Sequence, residues 1–472
     1  VIEKQVPVKL PPGFFHNGTK YEAKGRWYDG HLVRWHEGAL QPVGGWARVN
    51  EAGVGDLAAL SGTPTNMMIF NAANGQDWII AGTTNGLFAY RPGGGSASWT
   101  DITPAAWGGV TNWDLEQFGN LLVAQSNQRL YTWDLNPAND AVVVAGAPTD
   151  ITGGMCVTPE RFIFVLGSSI LAGDPFTVIW PDQESTSVWT PAATNQAGSQ
   201  PLKASSFLEC GRRLRDQTLI WSHSDLWSAR YIGGQFIYSF RQEGENCGVC
   251  GFMSPVVVDN RAFWMSETGQ FFMYDGWVRQ IPCDVADKFL GEFATVSGQA
   301  VKGWANPHFN EVWWFYPTSS VNNRYIKYNY VTGTWDYGTL GREAACGGIL
   351  VNNPVLLAAD SSGVVYVHET GQDRGSEVPY VESGPFEIGE GDHVMRIQRI
   401  IPDEKTLGDT KVSVYTSMNP TESETSNGPY TLLQPTDVRL TARQIRLKVE
   451  QNVETNWRVG TPRLGVIPLG RR

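Results

Sequence analysis

Gly25-Arg26-Trp27-Tyr28-Asp29-Gly30-His31-Leu32-Val33-Arg34-Trp35, closed by Gly38 and followed by Pro42-Val43-Gly44-Gly45-Trp46, contains two aromatic-rich strand candidates punctuated by glycines where the chain must reverse. Helical periodicity is missing between them, so the stretch reads as the opening of an all-β assembly. The remaining sequence has the same character. Among 472 residues, 19 Trp, 16 Tyr and 20 Phe stand beside 52 Gly and 27 Pro, a mixture that favours short strands and tight turns over long helices. That length exceeds one ordinary compact core unless core is added unit by unit, as barrels and propellers do.

From about Pro64 to Gly371 an apolar strand, a turn and an aromatic strand recur. Gly86-Leu87-Phe88-Ala89-Tyr90, Arg129-Leu130-Tyr131-Thr132-Trp133, Thr177-Val178-Ile179-Trp180 and Phe236-Ile237-Tyr238-Ser239-Phe240 are followed by Gln270-Phe271-Phe272-Met273-Tyr274, Arg324-Tyr325-Ile326-Lys327-Tyr328 and Val364-Val365-Tyr366-Val367. Seven units over that span average about 44 residues, the length of a four-stranded propeller blade. Uneven spacing leaves six blades plus an insertion, near Gln183–Gln200 or Val285–Gln299, as the other count. In Phe309–Tyr316, period two places Val312, Trp314 and Tyr316 on one face and Glu311, Trp313 and Phe315 on the other. Such a strand must be covered on both sides. After Gly371 the aromatic rhythm stops. Met395–Ile401, Lys411–Tyr415 and Ile445–Glu450 alternate as half-buried strands, with Ile445, Leu447 and Val449 toward a core. The expected architecture is all-β: an extended arm over 1–24, a six- or seven-bladed β-propeller over 25–375, and a smaller C-terminal β-sandwich over 376–472. Lys9–Phe15, with its paired prolines, is expected to lie along a neighbouring molecule.

The opening run resembles the start of the tail nozzle, or tail hub, proteins of short-tailed bacteriophages, which stabilise packaged DNA. Two further anchors follow in the right order. Glu209-Cys210-Gly211-Arg212-Arg213-Leu214 with Thr218-Leu219-Ile220-Trp221, Phe240-Arg241 and Asn246-Cys247-Gly248 is similar to the middle of those proteins. Thr441–Glu450, Asn456–Leu464 and Gly470-Arg471-Arg472 are similar to their end. The resemblance implies a structural virion protein in the phage tail, made in the bacterial cytoplasm. Six copies would form a ring below the head–tail adaptor, walling the channel for the genome. A tailspike or tail fibre and a plugging needle or knob would attach nearby.

Charge agrees with a wall that does not grip DNA. The 36 Lys and Arg against 47 Asp and Glu give −11, which disfavours tight duplex binding by the whole chain. Two clusters of basic residues stand out. Arg212, Arg213 and Arg215 suit ion pairing within or between subunits, or a phosphate grip. Arg446, Lys448, Arg471 and Arg472, with Arg439, Arg443, Arg458 and Arg463, concentrate positive charge near the C-terminal end and are candidates for docking on an acidic partner.

No catalytic, metal or cofactor set is expected. A Gly-x-Ser-x-Gly elbow, a His-Glu-x-x-His pair and a phosphate loop are missing from the sequence. His31 and His36 fall on opposite strand faces. Asp182 with Glu184, and Glu390 with Asp392, are carboxylate pairs of the kind a glycosidase uses, but Glu390 and Asp392 lie in the Gly-rich turn ending at Asp392 and read better as solvating an exposed tip. The six cysteines are scattered and read as buried thiols, with Cys247 and Cys250 lacking a second pair for zinc. Asn17-Gly18-Thr19 is a glycosylation triplet with no signal-peptide pattern before it. No apolar run reaches the ~20 residues of a membrane span. The competing readings are a propeller glycosidase or lyase, and a glycan-binding module using Trp99 or Trp277, residues expected to be buried in blades.

Overall fold

The computed structural model describes residues 3–109, 112–168, 174–234, 236–293, 301–319, 321–387 and 391–470. Seven antiparallel four-stranded sheets dominate it, numbered here as blades 1 to 7. Their first strands are Pro64–Asn71, Asp114–Phe118, Met155–Val157, Leu208–Arg213, Val256–Val258, Lys302–Asn306 and Ala344–Leu350. Six blades run in chain order. The seventh takes its outermost strand from the other end of the sequence: Trp46–Arg48 pairs with Val365–His368. With the first strand of blade 7 lying against that of blade 1, the array closes into a seven-bladed β-propeller and leaves no gap between first and last sheets.

The aromatic rhythm tracks the third strand of six blades: Gly86–Tyr90, Arg129–Trp133, Asp174–Trp180, Phe271–Tyr274, Asn322–Asn329 and Val365–His368. In blade 4 it falls instead on the fourth strand, Tyr238–Glu245, one strand beyond Asp225–Tyr231. Both suspected insertions exist beside seven blades. One is the long connection before Gly198–Pro201 in blade 3; the other, between blades 5 and 6, carries the helix Ala286–Glu292. Residues 294–299 of the second lie outside the described residues.

Apolar clusters fill the spaces between blades. Trp78, Ile80 and Leu87 of blade 1 meet Leu122, Tyr131 and Trp133 of blade 2; comparable sets join 2 to 3, 3 to 4, 4 to 5, 6 to 7 and 7 to 1. Glu311–Pro317 is buried throughout. Val312, Trp314 and Tyr316 enter the cluster shared with blade 5, while Trp313 and Phe315 enter the one shared with blade 7. The alternation at this strand therefore divides its aromatics between two cores.

The sandwich is built from both ends of the chain. One sheet orders Lys4–Pro7, Arg463–Pro468, Met395–Ile401 and Thr436–Ala442; the other orders Trp27–His31, Tyr380–Ser383, Gln444–Gln451, Thr410–Ser417 and Thr425–Thr431. Two expectations are corrected here. The extended arm expected over 1–24 packs, from residue 3 on, against its own chain: Lys4–Pro7 is a sheet edge, Val8 donates to the Pro462 carbonyl, and the fully buried Phe14 ring packs on Trp35 and Tyr337. Val8, Phe14 and Ala23 find cover within the same chain. Likewise Trp27–His31 pairs with Tyr380–Ser383 in the sandwich rather than in the propeller.

This crossing makes the two domains one body. The largest apolar cluster runs from blade 5 (Phe263, Phe271) through blade 6 (Trp314, Trp335) and the N-terminal segment (Phe14, Val33) into the sandwich (Ile397, Leu447). Polar groups fix the same seam. His31 Nδ1 accepts from the Thr339 N–H at 3.1 Å, which leaves Nε2 to donate to Glu377 at 2.8 Å. Tyr337 donates to Asp29 at 2.7 Å.

Candidate functional site: the propeller axis and the arginine clusters

A cavity of about 1250 Å³ runs along the propeller axis, between first strands. Met67, Met253, Val256, Val257, Ala345 and Ile349 supply its apolar wall. Asp114, Glu116 and Arg212 form its charged wall. The middle anchor of the sequence shapes this side. Cys210 is buried between blades 4 and 5, and Gly211 must be glycine because a Cβ there would sit 2.4 Å from the Cys156 sulfur on blade 3. Arg212 follows in the cavity wall.

The Arg212 guanidinium is held by carbonyls, donating to Gly211 at 2.8 Å and Phe252 at 2.5 Å. Burial works against its charge, but Asp114 and Glu116 outweigh it and raise its pKa. Asp114 accepts from the Met155 N–H at 2.9 Å, and burial leaves its carboxyl above the ordinary range despite Arg212. Glu116 is pushed up to about 7, chiefly by burial and then by Asp114, with Arg212 and Arg213 only partly opposing. The folded chain therefore keeps this proton to higher pH than the unfolded chain does. The associated stability is full below about pH 4.5 and is lost as pH rises through about 7. The infrared band of protonated carboxyl should persist in the folded protein well above the usual carboxylate range, and Glu116→Gln should remove part of it. Asp336, also pushed up to about 7, should supply another part, removed by Asp336→Asn. A band already lost by pH 5 would contradict both assignments.

The other candidates separate. Arg213 is exposed on the blade 4 strand and does not line the cavity with Arg212. Arg446 is buried, a correction to its proposed docking role. Its Nε and Nη2 donate to Glu424 at 2.8 and 2.6 Å, its Nη1 donates to Glu382 at 2.8 Å, and Tyr415 lies under the guanidinium. The side chain leaves the core face as the alternation requires, but Glu424 and Glu382 cover it. A guanidinium so enclosed has few donors left for a partner. Lys448 is half-exposed, 3.0 Å from Glu450 and over the Tyr380 ring. Arg471 and Arg472 lie outside the described residues, as does Glu390.

Residues weighed for chemistry turn out to organise loops and seams. Asp182 accepts from the Gln183 and Gln196 N–H groups, and Glu184 pairs with Arg161 at 3.2 Å. His36 meets the Phe309 ring edge while His31 sits in the domain seam. Cys247 and Cys250 are buried, and burial pushes their thiols up to about 11 and 12, away from metal-binding or nucleophilic thiolate. Among the described residues no group of three His, Cys, Asp or Glu is placed to hold a metal ion, and no helix is long and apolar enough to cross a membrane. Trp99 is partly covered and donates to the Ala58 carbonyl at 2.9 Å. Trp277, expected inside a blade, is 72% exposed.

No family model matches the chain, and no curated protein does. Among solved structures, "YCF48 bound to D1 peptide" is similar over 69% of this chain and 97% of its own, at 10% identity and a TM-score of 0.38. "AfRom2 CNH domain" is similar over 66% of this chain and 97% of its own, at 12% identity and a TM-score of 0.39.

Proposed function

We propose that this chain is a non-enzymatic structural subunit of a bacteriophage tail, a nozzle-like ring component below the head–tail adaptor that walls the DNA exit path and helps retain packaged DNA. The ring is a homohexamer, and a tailspike or fibre and a plugging needle or knob attach to it. The reading is supported by the three ordered sequence anchors and, in the molecule itself, by one observation: the N-terminal segment is threaded through sandwich and propeller so that both share a single core. A wall under internal DNA pressure needs domains that do not hinge, and shared core supplies that stiffness. The genome's path lies between subunits, not along the blade axis, whose cavity is small and largely apolar.

Net charge of −11 gives passing DNA little to adhere to. The decisive experiment is imaging of virions carrying a tagged chain. A six-fold axial ring beneath the adaptor is expected, with particles lacking the chain failing to retain DNA. Peripheral appendages, or no label in the particle, would overturn the proposal. The isolated chain should also show no sub-micromolar duplex affinity at low salt.

A further inference from the structure

The exposed indole of Trp277 stands at the edge of a groove of about 480 Å³ between the outer strands of blade 4 and the last turn of blade 5. The turn Asp275-Gly276-Trp277 depends on glycine at its centre, where φ is +110°. It thrusts the ring outward instead of folding it between blades, the fate of Trp221 and Trp264. Across the groove Ile232, 56% exposed, gives a second apolar edge. The indole and the isoleucine face solvent on either side of a polar hollow, leaving room for a flat ligand to lie between them.

The floor between these edges is polar and electrically balanced. Arg241 Nη2 donates to Glu243 at 3.0 Å, and the other Glu243 oxygen accepts from Ser228 Oγ at 2.6 Å. Arg230 lies 3.5 Å from Asp216, and Arg279 pairs with Asp275 beneath the turn. Asn260 spends its carbonyl on the Arg215 N–H and keeps its amide donors. Each guanidinium already has a carboxylate, so the groove offers no surplus charge to attract a phosphate or a polyanion. What it offers is planar donors and acceptors able to bridge adjacent hydroxyls, with an indole face at the rim. That combination matches a sugar ring, which has one apolar C–H face and a circumference of hydroxyls. The volume falls within the ~300–1,000 Å³ of small-ligand sites.

We propose that this groove is a saccharide-binding site for a short stretch of uncharged hexose polymer, with Trp277 as the stacking platform and Arg241, Glu243, Arg230, Asp216 and Asn260 as the hydroxyl-reading floor. The site is independent of the tail assignment. In a virion it would give the chain a contact with host-surface polysaccharide.

The test is calorimetric titration of the full chain with neutral gluco-, galacto- and manno-hexasaccharides, with oligogalacturonate as the acidic comparator. At least one neutral hexasaccharide should bind saturably. Trp277→Ala should weaken it about tenfold or more, while Trp277→Phe retains most of the affinity because a ring remains. Trp277 is solvent-exposed, so both variants should melt with the parent. Failure of every neutral hexasaccharide to bind, preference for the acidic comparator, or unchanged binding by Trp277→Ala would each overturn the proposal. So would a change in sedimenting species on Trp277→Ala without saccharide binding, which would assign the ring to contact between copies.

Discussion

Replacing Arg34 with alanine should lower the stability of the folded chain by about 3–5 kcal/mol, the range for breaking a buried ion pair from one side. Arg34 is 2% exposed, and so is Glu311, whose two oxygens accept from Arg34 Nε and Nη2 at 3.0 and 2.9 Å. Glu369 accepts from the same guanidinium at 2.6 and 2.9 Å, and the Phe309 ring lies 3.7 Å beneath it. Lys327, 1% exposed, adds a 3.0 Å bond to Glu311 and lies 3.2 Å from Asp336. The alanine variant would leave Glu369 without the cation it pairs with and Glu311 with Lys327 alone, in the seam of the N-terminal hairpin, blade 6 and blade 7. Chemical denaturation should show a lower midpoint at unchanged slope.

The pH dependence separates the partners of this cluster. Burial pushes the Glu311 carboxyl up, but Arg34 and Lys327 more than cancel it, leaving its pKa below the ordinary 4.5. Its contribution is present above that value and lost as pH falls through the lowered one; Arg34→Ala should flatten this acid limb. Asp336, raised mainly by burial, has the opposite sign and loses its contribution as pH rises through about 7. A midpoint unchanged by Arg34→Ala at neutral pH would show that the seam does not need the cluster.

Local pattern carried much of this fold, and its failures share one cause. Alternation in Glu311–Tyr316 specified two covered faces, and the structure divides those residues between two blade interfaces. The same rule marked Trp27–His31 as a strand but could not say which sheet would take it, because period two identifies faces, not partners. Trp46–Arg48 is three residues long, and its partner Val365–His368 lies at the far end of the propeller sequence. Nothing local encodes that closure. At the candidate sites, Arg446 read as outward, which its strand position supports, yet Glu424 from a neighbouring strand's hairpin covers it. Trp277, expected inside a blade, faces solvent. The preceding Asp275-Gly276 was the available signal, since a glycine at positive φ can turn the next side chain away from the sheet.

A chain beginning at Asn50 should fail to fold cooperatively, losing the whole net stability, which is ~5–15 kcal/mol for typical domains. The missing segment supplies the outer strand of blade 7, an edge strand of each sandwich sheet, the Arg34 side chain and the fully buried Phe14. Without it, Val365–His368 becomes an open edge, Tyr380–Ser383 loses its Trp27–His31 neighbour and Arg463–Pro468 loses Lys4–Pro7, so three sheets expose ladder groups at once. The cavity left by Phe14 and Trp27 would open the one cluster common to both domains. Thermal scans should show a broad, dye-binding, aggregating species in place of a single transition. Removing only residues 1–7 should be far milder, because Lys4–Pro7 is an exposed edge strand. Co-expression of residues 1–49 with the shortened chain should recover part of the cooperative transition, since the segment's contacts are non-covalent. If the chain from Asn50 melts in one step near the parent's temperature, the propeller closes without its N-terminal strand and the shared core is not what holds the domains together.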